Sequence, residues 1–366
     1  MNNHPISTLS IKGFKSIQGL DSLVLGNLNV LIGSNGAGKS NFISFFIMLR
    51  ELIEQRLQLW TTKQGGADRI VTFGVKQTSQ FEFSIRFGLN GYEAVLEPTV
   101  EGGFVFATEQ LYCKGPLQGP TRPNLGNGHG ESQLKIERTH DVVAEYCYRS
   151  ISRWTIFHFH DTSETAGVKR WGALHDDERL RPDASNLAAF LYRLKEEFPD
   201  IYQQIRKTVC LAVPFFDDFI LTPRDLPSGE QQIRLLWQQK ASDYTLWPSQ
   251  ISDGALRFIC LATALLQPDP PSTIIIDEPE LGLHPHAIAL LGSLLRSASK
   301  RMQVIVATQS VFLVNEFSID SLIIVERKQG VTRLTRHKEE AFASWLEEYS
   351  VGELWAKKIL DESPRS

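Results

Sequence analysis

The stretch Gly33-Ser34-Asn35-Gly36-Ala37-Gly38-Lys39-Ser40 lies between an apolar run and an amphipathic one. Residues 28–32 indicate a strand, and residues 41–59 carry apolar side chains at helical spacing. A Gly-rich loop where a strand leads into a helix can wrap its backbone N–H groups around phosphate oxygens, and the positive end of the helix faces the same anion. The stretch therefore predicts a nucleotide phosphate site.

The residue types inside this loop predict how the nucleotide is held. Lys39 is expected to neutralise β- and γ-phosphate oxygens, and the Ser40 hydroxyl is expected to ligate Mg²⁺. ATP and Mg²⁺ are the predicted cofactors. The candidate nucleotide contacts are Gly33, Ser34, Asn35, Gly36, Ala37, Gly38, Lys39, Ser40 and Asn41.

A second candidate is the segment Ile274-Ile275-Ile276-Asp277-Glu278, where an apolar strand ends in two carboxylates. Asp277 is placed to hold Mg²⁺ through water, and Glu278 to orient or deprotonate the attacking water. A strand that runs into an acidic turn is the plain alternative. Next to a phosphate loop, the functional interpretation is favoured.

Two further segments are candidates by their place at element ends. Ser252 and Gly254 begin a predicted helix and could form an anion site, although the segment taken alone favours an ordinary helix cap by Ser252 or Asp253. Gln309 follows a buried strand at 304–307 and could sense the γ-phosphate or position water. The alternative there is a strand end followed by a helix cap at Ser310.

The rest of the chain predicts an α/β fold. Strands and helices alternate in the second half, which favours a parallel sheet, while residues 81–87 alternate apolar and polar in an antiparallel first half. The predicted architecture is a mixed sheet with a parallel core. A helix is predicted over 183–198 with Asp183 as its cap, and one strand over 232–237.

Composition restricts the class of protein. The 366 residues are 42% hydrophobic, carry a net charge of -4 and include four cysteines with no C-x-x-C pair. These values predict a cytoplasmic protein with reduced thiols and no membrane span. They argue against a protein that coats nucleic acid generally, but leave room for a local basic patch.

The order and spacing of these segments resemble the ABC-type ATPases that include SMC proteins, RecF and the OLD-like predicted ATPases. The opening Ile11-Lys12-Gly13-Phe14-Lys15-Ser16-Ile17 looks like their first strand, and Ser252-Asp253-Gly254 matches their signature motif. Asp277-Glu278-Pro279-Glu280-Leu281-Gly282-Leu283-His284-Pro285 matches the Walker B and D-loop of the OLD-like branch. The resemblance implies a P-loop NTPase of ABC/SMC-head type with an antiparallel part and a small helical arm.

The resemblance also implies partners. Two copies would sandwich two ATPs head to tail, with Ser252 and Gly254 of one copy capping the γ-phosphate held by Lys39 of the other. The expected division of the chain is an N-terminal ATPase lobe at 1–161, a helical arm at 162–215, a C-terminal ATPase lobe at 216–340 and a helical tail at 341–366.

The chain departs from the family pattern at three positions. Gln309 stands where ABC transporters usually carry His, so its role as switch residue follows from position only. Asp253 stands where Gly is common. The Q-loop glutamine is not obvious, and the segment His160-Asp161-Thr162 could fill its place or be a polar surface loop.

The leading hypothesis is a stand-alone ATPase whose ATP-driven dimerisation controls DNA or a protein effector encoded nearby, in DNA maintenance or antiviral defence. No heptad arms are visible, and the stretch after Gln309 is too short for an OLD-type nuclease domain. The alternatives are a RecF-like repair ATPase that binds DNA directly and a regulatory scaffold with little turnover.

Overall fold

The computed structural model describes residues 4–115 and 119–361. Its strands, in chain order, are β1 Thr8–Phe14, β2 Ile17–Val24, β3 Leu28–Ile32, β4 Phe81–Phe87, β5 Asn90–Pro98, β6 Phe104–Lys114, β7 Pro120–Thr121, β8 Asn124–Gly126, β9 Trp154–Phe157, β10 Gly172–Ala173, β11 Phe216–Ile220, β12 Arg224–Asp225, β13 Gln231–Ile233, β14 Leu236–Gln239, β15 Thr245–Leu246, β16 Thr273–Asp277, β17 Gln303–Thr308, β18 Leu322–Lys328 and β19 Val331–Thr335.

The α-helices in the same part of the chain are α1 Lys39–Ile53, α2 Leu57–Lys63, α3 Leu134–Glu137, α4 Val142–Ser152, α5 Leu187–Glu197, α6 Pro199–Ala212, α7 Asp253–Leu266, α8 Pro285–Ala298, α9 Val311–Val314, α10 Ala343–Leu346 and α11 Val351–Ala356. Within the expected tail, residues 362–366 lie outside the described residues. None of the described helices has the length and apolar character needed to cross a bilayer.

The six-stranded sheet is parallel except at one edge. Its strand order is β19-β18-β3-β17-β16-β9, and only β19 runs antiparallel to its neighbour. The N-terminal strand β3 therefore lies in the middle, between two strands from the C-terminal half. This arrangement confirms the predicted mixed sheet with a parallel core.

The N-terminal half forms a separate antiparallel sheet. Its order is β2-β1-β4-β5-β6-β7, with β8 also paired to β6. Strand β4 alternates buried and partly exposed residues along its whole length, as its sequence predicts for a sheet with one face on the core.

Both faces of the parallel sheet are covered, which explains why its strands are continuously apolar. Successive residues of a strand point to opposite faces. Val30 belongs to a core shared with α5 to α8, whereas its neighbour Leu31 belongs to a core shared with α1, α4 and the antiparallel sheet. The carboxyl ends of the strands stay free of covering elements and carry the polar candidate residues.

Residues 162–215 contain an irregular segment followed by α5 and α6. The apolar stripes of these two helices are buried in the core that also holds α7. Two small antiparallel sheets flank this region, in the orders β10-β13-β12 and β11-β14-β15. The single strand predicted at 232–237 is wrong, because β13 and β14 belong to different sheets.

Two predicted helices also differ in their bounds. The helical run at 41–59 divides into α1 and α2 at Gln55, whose φ is 58°, because the Glu131 carboxylate accepts the N–H groups of Leu57 and Gln58 and starts a new helix there. The helix predicted from Asp183 begins at Leu187. Asp183 instead accepts the Ser185 N–H, and Ala184 has a positive φ of 56°.

Candidate functional site

The Gly-rich loop joins the end of β3 to the start of α1. Gly38 is the N-cap of α1 with φ 115°, and Lys39 is its first helical residue. Among the described residues, no hydrogen bond uses the N–H groups of Lys39, Ser40 or Asn41. A helix N-terminus with free amides and a positive dipole end is suited to a phosphate.

Three side chains linked by hydrogen bonds connect the start of α1 to the Gly-rich loop. Asn41 Nδ2 donates to Ser16 Oγ at 2.6 Å, and Ser16 Oγ lies 2.7 Å from Thr332 Oγ1. Thr332 Oγ1 in turn donates to the Ala37 carbonyl at 2.8 Å. Ser16 and Thr332 were not identified as site residues from the sequence. Ser16 belongs to a quoted motif that reads as a strand, and nothing in the sequence points to Thr332.

Lys39 is buried against its own loop. Its ammonium donates to the carbonyls of Gly33 at 2.7 Å and Ser34 at 3.2 Å. Burial lowers the pKa of Lys39, and the carboxylates of Glu278, Asp277 and Glu280 oppose that shift. These bonds to neutral carbonyls leave the positive charge available to an anion in the loop.

The phosphate loop and the acidic strand end meet at this site. Ser40 Oγ donates to Asp277 Oδ2 at 3.3 Å, although the two residues are 237 positions apart. Burial and the neighbouring Glu278 raise the pKa of Asp277. A hydroxyl and a carboxylate oxygen are the ligand types that Mg²⁺ prefers, so this pair fits the metal.

Glu278 adopts an unusual backbone conformation directly after β16. Its φ is 42°, and its N–H donates to the Ala307 carbonyl of the adjacent strand at 2.8 Å. A non-glycine residue with positive φ costs of order 1–3 kcal/mol and persists where the surrounding structure enforces it. The backbone thereby leaves the extended conformation at Glu278, whose carboxylate acts on the charge of Lys39.

Glu280 connects the turn after β16 to the end of β17. Its Oε1 accepts the Thr308 hydroxyl at 2.5 Å and the Gln309 N–H at 3.4 Å, while its buried Oε2 has no hydrogen-bond partner among residues 4–115 and 119–361. Burial raises the pKa of Glu280. Glu280 belongs to the motif quoted from Asp277 to Pro285, but nothing in the sequence indicated its contacts with Thr308 and Gln309. The Gln309 side chain itself is exposed.

The segment at the start of α7 packs against the turn after Glu280. Ser252 is the N-cap and accepts the Ala255 N–H at 3.2 Å, as the plain alternative expects. A Cβ at Gly254 would overlap the Gly282 carbonyl oxygen and lie 3.1 Å from its carbon. Gly254 is therefore required for the close approach of two backbones.

Arg257, one turn further along α7, joins three segments. Its guanidinium donates to the carbonyls of Phe159, His160 and Leu281, and the residue is 6% exposed. The His160 carbonyl is thus tied to α7. Asp161 accepts the Ser163 N–H and hydroxyl at 3.0 and 2.7 Å, which makes a local turn of this segment.

An open cleft of about 520 Å³ lies beside the phosphate loop. Asn41 and Ser16 are on its wall, together with the 48% exposed ring of Phe73. Arg327 is also on the wall and donates to the Gly36 carbonyl at 3.5 Å. The cleft has the polar groups and the aromatic face that a nucleoside needs. Asn41 is a predicted nucleotide contact, whereas Phe73 and Arg327 were not predicted.

The candidate residues fall into two groups. The first group lies at the carboxyl ends of β3, β16 and β17 and consists of the Gly-rich loop, Asp277, Glu278 and Gln309. Ser252 and Gly254 line a different pocket of about 140 Å³ with Gly282 and His284. In the described part of the chain, no hydrogen bond or ion pair joins 252–254 to 33–40.

One family model matches part of the chain. Residues 167–315 match the family described as "AAA domain, putative AbiEii toxin, Type IV TA system". A search of curated proteins finds no match. The matched segment includes Ser252, Asp277, Glu278 and Gln309 and excludes the phosphate loop.

Solved structures resemble nearly the whole chain. An Smc head bound to the C-winged helix domain of ScpA superposes with a TM-score of 0.62 at 15% identity, covering 93% of this chain and 99% of that one. The Smc head from Pyrococcus furiosus with an extended coiled coil, bound to the C-terminal domain of ScpA, gives 0.59 at 15% identity, covering 94% and 98%. The likeness shows the fold.

Proposed function

Because this chain has the fold of an SMC-head ATPase and carries an AAA-type segment, we propose that it binds and hydrolyses ATP. The observation that carries the proposal is the approach of Ser40 to Asp277 at 3.3 Å, at the mouth of a loop whose helix amides are free. A phosphate receptor and a carboxylate metal ligand from distant parts of the chain meet there.

In this proposal the loop 33–40 holds the phosphates of ATP. Lys39 neutralises the β- and γ-phosphates, and the free N–H groups at the start of α1 donate to their oxygens. Ser40 and Asp277 hold Mg²⁺, which supplies charge neutralisation to the phosphates when bound. The cleft beside the loop receives the nucleoside, with Phe73 as the aromatic face.

Glu278 is the proposed general base. It follows Asp277 directly at the end of β16, and its carboxylate acts electrostatically on Lys39 of the loop. A carboxylate near the terminal phosphate orients the attacking water and accepts its proton. Glu280 holds the N–H of Gln309 and thereby fixes the start of the proposed switch segment.

We further infer that ATP joins two copies of the chain. Ser252 and Gly254 lie apart from the loop of their own chain, in a pocket with the turn at Gly282. A second copy placed head to tail would bring this helix start to the γ-phosphate, as the family resemblance implies. The ATP-bound dimer would act on a protein effector, in keeping with the toxin–antitoxin description of the matched family.

Turnover and dimerisation are tested together in Glu278→Gln. We expect Mg²⁺-dependent phosphate release to fall about 10²- to 10⁴-fold, since a general base is lost. ATP should still bind, and light scattering should detect an accumulated dimer. Glu230→Gln, a change at an exposed carboxylate far from the site, is the matched control. Wild-type turnover in Glu278→Gln would refute the assignment of the base.

Nucleotide binding is tested separately in Lys39→Ala. We expect loss of binding of a fluorescent ATP analogue, while Lys300→Ala at the end of α8 keeps it. Normal affinity in Lys39→Ala would refute the assignment of the loop. A gel shift with and without ATP at low salt decides whether DNA is the partner, because phosphate contacts are strongest there.

A further inference from the structure

Lys169 is a buried lysine beside the start of α7. The residue is 4% exposed, yet its ammonium makes no hydrogen bond within the described part of the chain. It lies 3.6 Å from Asp253 Oδ1 and 3.9 Å from Glu164 Oε1, and both carboxylates are largely exposed. Nearly the whole side chain is covered, and the ammonium lies beside Asp253, the first residue of α7.

The backbone around Lys169 is held rigidly. Its N–H donates to the Ala166 carbonyl at 3.0 Å, and its own carbonyl accepts Arg234 Nε at 2.8 Å. A Cβ at Gly167 would lie 2.6 Å from the Ser185 Cβ, so the turn packs closely against the segment before α5. The lysine is therefore fixed in place before any ligand arrives.

The start of α7 has an electrostatic difficulty as a phosphate site. A helix N-terminus attracts an anion, but the first helical residue here is Asp253, whose negative charge repels one. A cation close to Asp253 offsets that repulsion. Lys169 is a cation within 3.6 Å of Asp253, whereas Arg257, which also interacts with Asp253, is committed to three backbone carbonyls.

We propose that Lys169 contacts the terminal phosphate of an ATP bound to the loop of a second copy, together with Ser252 and Gly254. This inference rests on the proposed ATP-dependent dimer. Lys169 then acts in trans, and it restores the positive potential that Asp253 removes from the phosphate-facing end of α7. The alternative is a simple ion pair, which contributes little when the carboxylates are exposed and farther than hydrogen-bond distance.

Single variants separate these two interpretations. Lys169→Met keeps the buried stem, and we expect turnover to fall about 10- to 100-fold through loss of a charge-assisted contact. ATP affinity of the isolated subunit should stay unchanged, because its own loop is intact. Lys169→Arg should recover part of the activity. If the residue only forms an ion pair, Asp253→Asn should lose as much turnover as Lys169→Met; we expect a smaller loss or a gain.

Mixed dimers then test whether Lys169 acts in trans. Lys39→Ala and Lys169→Met are each impaired as separate homodimers, but a mixed dimer pairs the intact loop of one subunit with the intact α7 start of the other. We expect mixing to restore turnover. Mixing Lys39→Ala with Ser252→Ala is the control, since Ser252 belongs to the composite site in the proposed function.

The outcomes distinguish the two proposals. Recovery in both mixtures supports a trans role for Lys169. Recovery in the Ser252 mixture alone refutes it, because Lys169 would then serve its own subunit. Recovery in neither mixture refutes the composite site itself, and with it the proposed dimer mechanism.

Discussion

Gly38→Ala should destabilise the nucleotide-free protein, not only weaken ATP binding. Gly38 has φ 115°, and an added Cβ would overlap the Thr332 hydroxyl and lie 2.8 Å from its methyl carbon. Thr332 is fully buried and bonds both Ser16 and the Ala37 carbonyl, so it has no free rotamer to adopt.

The size of the effect follows from two contributions. A non-glycine residue at positive φ costs about 1–2 kcal/mol. Overpacking against a fixed buried side chain costs about 1–3 kcal/mol. The free energy of unfolding should therefore fall by roughly 2–5 kcal/mol. Gly36→Ala is the matched control, because Gly36 has φ 76° but open space around its Cβ, so only the first contribution applies.

Urea unfolding without nucleotide measures this difference. The midpoint should fall more in Gly38→Ala than in Gly36→Ala, with the same m-value. Thr332→Ala removes the hydroxyl and methyl groups, so the double variant should be less destabilised than the sum of the single changes by about 1–2 kcal/mol. Equal midpoints for the two glycine variants would show that the β19 contact does not constrain the loop.

Three other perturbations test the supports of the site. Glu280→Gln removes a carboxylate whose pKa is raised from 4.5 by burial. As the pH rises from 4.5 through that raised pKa, the free energy of unfolding of the wild type should fall relative to that of the variant. A constant difference in the free energy of unfolding between the two proteins across pH 4–8 would contradict the shift. Thr308→Val removes the donor to Glu280 and should lower the free energy of unfolding by about 1–3 kcal/mol in thermal melts, since a buried acceptor loses its partner. Arg257→Met leaves three carbonyls without their donor. We expect the free energy of unfolding in urea to fall by about 2–4 kcal/mol, and turnover to slow at normal ATP affinity. Unchanged turnover would contradict a coupling of α7 to the His160 segment.

The sequence was sufficient for the elements that local patterns determine. The strand, loop and helix around Lys39 follow from hydrophobic periodicity and glycine spacing, and the helix predicted to begin at Ser252–Gly254 is α7, Asp253–Leu266. The parallel core follows from the alternation of elements. The meeting of Ser40 and Asp277 follows because parallel strands end at one edge of the sheet.

Contacts that depend on tertiary register could not be predicted. Thr332 reaches the loop only because β19 pairs with β18 beside β3, and no local pattern marks it. The carboxylate of Glu131 accepts the first N–H of α2 from 74 residues away. Local sequence patterns therefore could not predict the boundary between α1 and α2. Lys169 appears in the sequence as one of many polar residues in an irregular segment, and its burial is visible only in the fold.

The central position of β3 has a consequence for synthesis of the chain. Asn29 pairs with Ile305, and Val30 pairs with Leu322, so this apolar strand emerges from the ribosome long before either neighbour exists. At about 5–20 residues per second, the interval between them is on the order of tens of seconds. The antiparallel sheet of the first half can form meanwhile from its own residues. The Gly-rich loop, by contrast, gains its final surroundings only after the strands on both sides of β3 have been made.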